Sequence, residues 1–324
     1  MYNKSQLKEI IEKAISGLRY ETEAEKLTEP VKYVLSIGGK RVRPLLTLMT
    51  CNLFSDKIDE AIMPATGIEV FHNFTLVHDD IMDNAPVRRG LPTVFKKWDL
   101  NQAVLSGDVM AFIANDCFLQ APANSISSVL RIYNKAAIEV CMGQQQDMDF
   151  ETATAITQDA YLRMIELKTA VLIASAARIG AVIGGAMDQD SDLIYEFGRS
   201  LGLAFQLQDD LLDVYGDYKV FGKIQGGDIL ANKKTYLYVI ASEKANKVQL
   251  NKLRKLFTTK EIDPDKKVRE VMGLYDELNI KDPAESLIRK YFDKAFECLD
   301  NTAVHAGRKD ELTAMASSLI GRGN

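Results

Sequence analysis

The segment LGLAFQLQDDLLDVY, residues 201–215, decides the fold class. Its apolar side chains recur every three or four positions, which is the period of an α-helix and not of a strand: Leu203, Leu207, Leu211 and Val214. The polar side chains fall on the opposite stripe of the same helix: Gln206, one of Asp209 and Asp210, and Asp213. We therefore predict a long helix with one face in the core and one face lined with carboxylates.

The same helical period continues along most of the chain. No proline occurs between Pro122 and Pro264, and apolar residues recur there at helical intervals. No Asn-Gly or Asp-Gly turn joins two alternating segments, as a sheet would require. Breaks are predicted in loops at residues 38–44, 84–92, 120–125, 215–228 and 258–267. We predict an all-α chain that forms a single domain over residues 1–324, with a charged helical hairpin within residues 242–283.

The composition argues against several classes of protein. The chain has 324 residues, of which 47% are hydrophobic, enough to bury a sizeable core. A formal net charge of −5 argues against a general nucleic-acid binder, which needs a basic face. The four cysteines lie far apart and lack the spacing of a zinc site or a disulfide framework. We expect a cytoplasmic protein.

Two segments are candidates for a signal peptide or a transmembrane helix. The first 18 residues place apolar side chains at helical spacing between charges, which predicts an amphipathic helix and not a signal peptide. Residues 170–187 are nearly long enough to span a bilayer, but they contain Arg178 and are rich in alanine and glycine. We expect a tightly packed interior helix there, and no transmembrane segment.

An acidic pattern occurs twice, as DDIMD at residues 79–83 and DDLLD at residues 209–213. The first and last aspartates of each copy are four residues apart, so they lie on one face of a helix. One copy alone is as easily a solvated helix end, but both copies follow apolar helical segments. If the two helices pack side by side, six carboxylates meet, and only cations make that stable. Oxygen ligands without histidine or thiolate favour magnesium together with substrate phosphates.

Five motifs in order carry a family resemblance. They are GGKRVRP (38–44), DDIMDNAPVRRG (79–90), GQQQD (143–147), ELKTA (166–170) and DDLLDVYGDYKVFGKIQGGDILANKKT (209–235). Over nearly its full length the chain resembles the trans-isoprenyl diphosphate synthases. The resemblance implies a single-domain bundle of long helices around a central cavity, the isoprenoid synthase type I fold, and a homodimer. It also implies condensation of an allylic diphosphate with isopentenyl diphosphate.

The resemblance assigns roles to the acidic residues. Asp79, Asp83 and Asp209 match the positions of direct magnesium ligands. Asp80, Asp210 and Asp213 match indirect or water-mediated positions, and Asp228 is placed to orient a metal-bound water. About three magnesium ions per active site are implied, bound with the allylic diphosphate.

The two diphosphates are expected to occupy different sites. The positions that hold the allylic diphosphate are matched by Arg88, Lys168, Lys223 and Lys233, with Lys234 as a solvated neighbour. Isopentenyl diphosphate is bound without metal, at positions matched by Gly39, Lys40, Arg43, His72 and Arg89. His72 lies seven residues before Asp79, two helical turns away on the same face, whereas His78 is turned about 100° from it and is expected to be structural.

Further positions concern the cation and the product. Thr169 and Gln206 match residues whose oxygens steady the allylic cation, and Gln144 matches a polar wall. Chain length is expected to depend on Phe74 and Thr75, just upstream of the first acidic motif. Thr75 lies one turn deeper than Asp79, and its small side chain would leave room beyond a farnesyl tail. The aromatic Phe74, five residues before the motif, resembles the synthases of farnesyl or geranylgeranyl diphosphate, which is the product range that the resemblance implies.

The sequence argues against two other kinds of helical enzyme and leaves two alternatives open. A class I terpene cyclase would carry an asparagine-serine-glutamate motif in place of DDLLD and would lack GGKRVRP. A di-iron carboxylate bundle requires paired Glu-x-x-His motifs, which the sequence lacks. A longer-chain polyprenyl diphosphate synthase stays open. So does a non-catalytic subunit of a heteromeric synthase, although such subunits usually lose the acidic residues that this chain keeps.

Overall fold

The structure, a computed structural model, describes residues 1–19, 24–216, 225–259 and 262–320. The first ten helices are α1 Lys4–Ser16, α2 Glu25–Ser36, α3 Val42–Phe54, α4 Asp59–Met82, α5 Val94–Lys97, α6 Leu100–Phe118, α7 Ile126–Thr152, α8 Gln158–Ile165, α9 Val171–Ile183 and α10 Asp188–Tyr215. They are followed by α11 Gly227–Leu230, α12 Tyr236–Lys244, α13 Lys247–Thr258, α14 Pro264–Glu277, α15 Lys281–Asp300 and α16 Asp310–Ile320. A π-helical turn, Glu166–Ala170, joins α8 to α9, and a 3-10 turn covers Ala306–Arg308. The all-α prediction is confirmed.

The described residues contain one small exception, an antiparallel ladder of β1 Val87–Arg88 and β2 Leu91–Pro92. The sequence predicted only a loop there. The ladder forms because Arg89 and Gly90 between the strands adopt left-handed backbone angles, φ 53° and 80°, which close a tight turn. Two-residue strands are too short to produce an alternating pattern.

The chain divides into two compact units. The first comprises residues 1–134, 175–195 and 302–312, and the second comprises residues 135–174, 196–301 and 313–324. The single domain over residues 1–324 stays a prediction.

The first unit is built around α4. Helix α1 starts at a capping box between Asn3 and Gln6 and buries the apolar stripe predicted from the sequence. Helix α4 packs against both α3 and α6. Small residues bring α9 close to α3, where the Thr47 and Thr50 hydroxyls donate to the carbonyls of Ala176 and Ala177 at 2.9 and 2.8 Å.

The predicted interior packing of this alanine- and glycine-rich segment is confirmed. Along the described ranges, no helix has the length and apolar character needed to cross a membrane.

The second unit is built around α10. The stripe predicted from its period is buried, with exposed fractions of 1%, 1%, 7% and 2% for Leu203, Leu207, Leu211 and Val214. Helices α13 and α14 pack against each other and begin at side-chain caps from Asn246 and Asp263. They form the charged hairpin that the sequence predicted.

Candidate active site

Helix α4 ends in carboxylates. Its last turn has no basic residue, and the C-cap is Asp83. Because the C-terminal end of a helix carries partial negative charge, acids placed there are unfavourable without a cation. Asp83 is exposed and Asp79 is partly exposed, whereas Asp80 is buried. The first acidic motif thus presents two of its three carboxylates outward.

Asp80 is held by the hairpin that follows α4. Arg88 Nε donates to Asp80 Oδ1 at 2.8 Å, and Arg88 Nη2 forms an ion pair with the same oxygen at 2.7 Å. Burial raises the pKa of Asp80, and the hydrogen bond and charge of Arg88 oppose that shift. Arg88 therefore supports the acidic motif directly, in addition to the diphosphate contact that the sequence predicted for it.

A cationic cluster lies in the same unit, around the start of α3 and the middle of α4. Arg43 Nη1 lies 3.2 Å from His72 Nε2, and Arg89 Nη1 donates to the carbonyl of Gly38. The backbone of Gly39 lies against the Arg89 guanidinium, where a side chain would collide. The structure thus brings Gly39, Arg43, His72 and Arg89 together, and Lys40 is exposed in the same loop.

The electrostatics of this cluster favour an anion. Burial lowers the pKa of Arg43 to about 10, and the charge of Arg89 adds to the shift. Burial also holds the pKa of His72 well below its usual value, reinforced by Arg43 and Arg89. Arg43 Nε is buried with no hydrogen-bond partner among the described residues. A half-buried arginine whose Nε donor is buried and unused, beside a second arginine, is suited to a diphosphate.

Sequence reasoning missed the residue that holds this loop in place. Arg41 is only 3% exposed and has a left-handed φ of 49°. Its guanidinium donates to Glu69 Oε1 at 2.6 Å, to the Leu35 carbonyl at 2.8 Å and to Glu12 Oε1 at 3.1 Å. It therefore ties the GGKRVRP loop to α1, α2 and α4. The sequence offers no sign of this, because Arg41 sits between Lys40 and Arg43, two basic residues that the resemblance assigns to a phosphate.

In the second unit, Lys168 and Thr169 lie in the π-helical turn Glu166–Ala170. A Cβ atom added to Gly143 would lie 2.3 Å from the backbone nitrogen of Lys168. The glycine of the GQQQD motif thus lets α7 approach this turn. Lys168 Nζ pairs with Asp147 Oδ2 at 2.6 Å, a partner that the sequence interpretation did not single out although it ends the same motif.

The second aspartate of the second motif is turned into the protein. Asp210 is 3% exposed. Its Oδ2 accepts from the Tyr161 hydroxyl at 2.6 Å and from the Tyr236 backbone amide at 3.4 Å. Its Oδ1 accepts from Gln206 Nε2 at 3.1 Å, and Gln206 Oε1 accepts from the Thr169 hydroxyl at 3.1 Å. Burial raises the pKa of Asp210 to about 8, opposed by the Tyr161 and Gln206 hydrogen bonds. This arrangement suits the indirect role predicted for Asp210 and leaves no oxygen aimed at a ligand.

The other carboxylates of the second motif are more accessible. Asp209 is exposed, and Asp213 Oδ2 accepts from the backbone amide of Asp228 at 3.0 Å. The last turn of α10, like that of α4, has no basic residue. Lys223 lies outside the described residues.

The expectation for Lys234 was wrong. Its ammonium donates to the carbonyls of Phe150, Glu151 and Ala153 at 2.9, 2.9 and 2.7 Å. It therefore caps the C-terminal end of α7 and is not a solvated neighbour. Lys233, the residue before it, is exposed.

Upstream of the first motif, the Phe74 ring packs between the rings of Phe71 and His78, at 5.4 and 4.8 Å between centroids. The Thr75 hydroxyl donates back to the His72 carbonyl at 2.8 Å. His78 lies against Gly107, as expected of a structural histidine. Gln144 is half-buried on α7.

The carboxylates fit magnesium bound together with substrate. Across the described ranges, no group of three or more His, Cys, Asp or Glu side chains could hold a metal ion. Magnesium in phosphate-handling sites takes one or two carboxylates and completes its shell with water and phosphate oxygens. Pairs such as Asp79 and Asp83 match that demand, and a permanent protein cage does not exist among these residues.

Comparison with known proteins decides the family. The sequence profile described as polyprenyl synthetase matches residues 24–275. The chain belongs to the polyprenyl synthetase family. This polyprenyl synthetase is 38% identical to the geranylgeranyl diphosphate synthase of Methanosarcina mazei, over 74% of this chain and 75% of that protein. It is 36% identical to the geranylfarnesyl diphosphate synthase of Natronomonas pharaonis, over 75% of this chain and 76% of that protein.

A solved structure agrees with these relatives. The crystal structure of a geranylgeranyl pyrophosphate synthase superposes on the polyprenyl synthetase with a TM-score of 0.93, at 38% identity and over 100% of both chains. The predicted family, fold and enzyme class, a short-chain trans-prenyltransferase, are confirmed.

Proposed function

We propose that this prenyltransferase condenses an allylic diphosphate with isopentenyl diphosphate, head to tail and in trans, with magnesium bound at its two aspartate motifs. The product is a farnesyl or geranylgeranyl diphosphate. The names of the relatives support the allylic and isopentenyl substrates, and the chemistry of the residues described above supports their placement.

One observation carries the proposal: helix α4 bears two chemically different groups of side chains that are suited to phosphates. His72, in contact with Arg43, belongs to the cluster that also holds Arg89. Asp79 and Asp83, roughly 10 Å further along the same helix, are carboxylates that bind phosphate only through a cation. Two diphosphates bound by different means are what this reaction needs, because only one of them leaves.

Different basic residues bind the two diphosphates. Arg43, Arg89 and Lys40 hold the isopentenyl diphosphate, while Lys168 and Lys233 bind the allylic diphosphate. Lys168 exchanges its bond to Asp147 for a phosphate oxygen when substrate enters. Bound magnesium would neutralise the charge that develops on the departing diphosphate. The Thr169 hydroxyl oxygen faces the allylic carbons and stabilises their positive charge.

Product length is proposed to depend on Phe74 and Thr75. The Thr75 hydroxyl is already satisfied by the His72 carbonyl, so the side chain offers its methyl group to an isoprenoid tail. The relatives include both geranylgeranyl and geranylfarnesyl synthases. We place this enzyme at fifteen to twenty carbons, with a longer product as the alternative.

A homodimer in the cytoplasm is part of the proposal. Helix α9 is buried inside the chain and offers no interface, but α6 exposes apolar side chains, with Leu105 at 56% and Phe112 at 71%. A second copy covering this face would remove that surface from water. All four cysteines lie in the described part of the chain, and none forms a disulfide, which suits a reducing compartment.

The test is a product assay with purified protein, magnesium, isopentenyl diphosphate and dimethylallyl, geranyl or farnesyl diphosphate in separate reactions. We expect a product of fifteen or twenty carbons, reduced by about 100-fold or more in Asp79→Ala. No consumption of isopentenyl diphosphate with any primer would overturn the proposal and point to a non-catalytic subunit. Sedimentation of the wild type and of Phe112→Glu tests the dimer.

A further inference from the structure

A series of three hydrogen bonds leads from the buried Tyr161 to the half-buried Thr169. Tyr161 donates to Asp210 at 2.6 Å, Gln206 donates to Asp210 at 3.1 Å, and Thr169 donates to Gln206 at 3.1 Å. Tyr161 and Asp210 are 4% and 3% exposed, so water does not compete for the bond between them, whereas Gln206 and Thr169 are half-buried. This series of hydrogen bonds begins at a buried residue of the second unit and ends at Thr169, which is partly exposed.

The polarity of this chain is fixed from the Asp210 end. Asp210 Oδ2 accepts from the Tyr161 hydroxyl and Asp210 Oδ1 accepts from the Gln206 amide nitrogen, so Gln206 presents its amide nitrogen to Asp210. The carbonyl of Gln206 then faces Thr169, and because a carbonyl also only accepts, the Thr169 hydroxyl must donate to it. The lone pairs of the Thr169 oxygen are left on the side away from Gln206, where they can face a cation.

We propose that Tyr161 is a positioning residue, which acts through Asp210 and Gln206 to hold the Thr169 oxygen with its lone pairs toward the developing allylic cation. This inference rests on the proposed function. It assigns Tyr161, which no sequence motif marked, and it makes Asp210 an anchor of the cation site. Preorganised dipoles of this kind act on the transition state, so they affect kcat more than KM.

The experiment compares two tyrosine-to-phenylalanine variants. Tyr161→Phe removes the first donor in the chain of bonds. Tyr215→Phe is the matched control, because Tyr215 also donates to a carboxylate, Asp276 Oδ1 at 3.1 Å, outside this chain. We expect Tyr161→Phe to lower kcat about tenfold, with KM for both substrates and the magnesium concentration for half activity unchanged within about twofold. Tyr215→Phe should keep the wild-type kcat.

A double-mutant cycle separates positioning from a general structural effect. If Tyr161 acts through Thr169, then Tyr161→Phe should lower kcat by less than about twofold in a Thr169→Val background. If the Tyr161→Phe variant unfolds below the assay temperature, Gln206→Leu takes its place, because Gln206 is half-buried and is the next residue in the series of hydrogen bonds. Gln206→Leu must then lower kcat about tenfold, and by less than about twofold in a Thr169→Val background.

Three results would overturn the inference. A Tyr161→Phe enzyme with wild-type kcat removes the role of Tyr161 while leaving the proposed function intact. Losses that multiply in the double variant mean that Tyr161 acts independently of Thr169. A wild-type protein that fails to elongate any primer overturns the proposed function, and this inference falls with it.

Discussion

Arg88 contacts a single carboxylate oxygen of Asp80 twice, with a hydrogen bond from Nε at 2.8 Å and an ion pair from Nη2 at 2.7 Å. Asp210 in the second motif also accepts hydrogen bonds from neighbouring side chains, here Tyr161 and Gln206. Adjacent residues on a helix point about 100° apart, so the first two aspartates of a motif cannot face the same ligand. Each motif therefore contains carboxylates of two kinds, one kind accessible to a cation and the other holding neighbouring side chains.

Asp79→Asn and Asp80→Asn should separate these two kinds. We expect Asp79→Asn to lower kcat by about 100-fold or more without changing the urea midpoint, because Asp79 serves the metal. Asp80→Asn should lower the free energy of unfolding by about 1 kcal/mol, because it weakens a charge-assisted bond to a partly exposed arginine. Steady-state kinetics and urea titrations measure both. Equal effects of the two changes on stability would contradict the division.

His72 should make the stability of the free enzyme fall at acid pH. Its folded-state pKa lies well below the usual 6.5, so the unfolded chain takes up the proton first. Stability is then complete above about pH 6.5 and falls below it, by up to about 1.4 kcal/mol per pH unit. Urea unfolding between pH 5 and 7.5 measures this slope.

The matched variants for that measurement are His72→Gln and His305→Gln, the second at an exposed position. His72→Gln should flatten the acid slope, and His305→Gln should leave it in place. Added inorganic diphosphate should also reduce the slope, because an anion offsets the repulsion from Arg43 and Arg89. A slope that survives His72→Gln would assign it to other groups.

Lys233 and Lys234 should differ although they are neighbours. Lys234→Met removes the donor to three carbonyls at the end of α7, and it should cost about 1 to 2 kcal/mol of unfolding free energy. Lys233→Met should keep the melting temperature and raise KM for the allylic diphosphate about tenfold. Thermal melts and kinetics of both variants give the comparison. A reversed pattern would exchange the two roles.

Gly143→Ala should be damaging and Gly273→Ala should not. A Cβ atom at Gly143 would lie 2.3 Å from the backbone of Lys168, whereas nothing lies within 4 Å of one at Gly273. We expect Gly143→Ala to cost about 3 kcal/mol and to lower kcat about tenfold, because the turn that carries Lys168 must shift. Gly273→Ala in an exposed helix should stabilise by about 0.5 to 1 kcal/mol. Wild-type stability in Gly143→Ala would show that the turn yields without cost.

Much of the fold and the site was predictable because it depends on local periodicity and on motifs. The stripe from Leu203 to Val214 predicted the buried face of α10, since helical period and burial are linked by geometry alone. The proximity of Arg43 to His72 and of Thr169 to Gln206 followed from the family motifs. Those residues are marked in the sequence by type and order.

The tertiary structure alone decided which members of the motifs are buried. Asp79 and Asp80 are adjacent residues of the same type. Only the position of Arg88 in the hairpin after α4 shows that the Asp80 carboxylate is the buried one. The family motif marks Lys233 and not Lys234, so the role of Lys234 is visible only when the end of α7 is placed beside it. Tyr161 and Arg41 act on residues far away in the chain, and no local pattern records a long-range hydrogen bond. The sequence by itself determined the helices and the chemistry of the site, while packing determined which side chains perform that chemistry and which hold them in place.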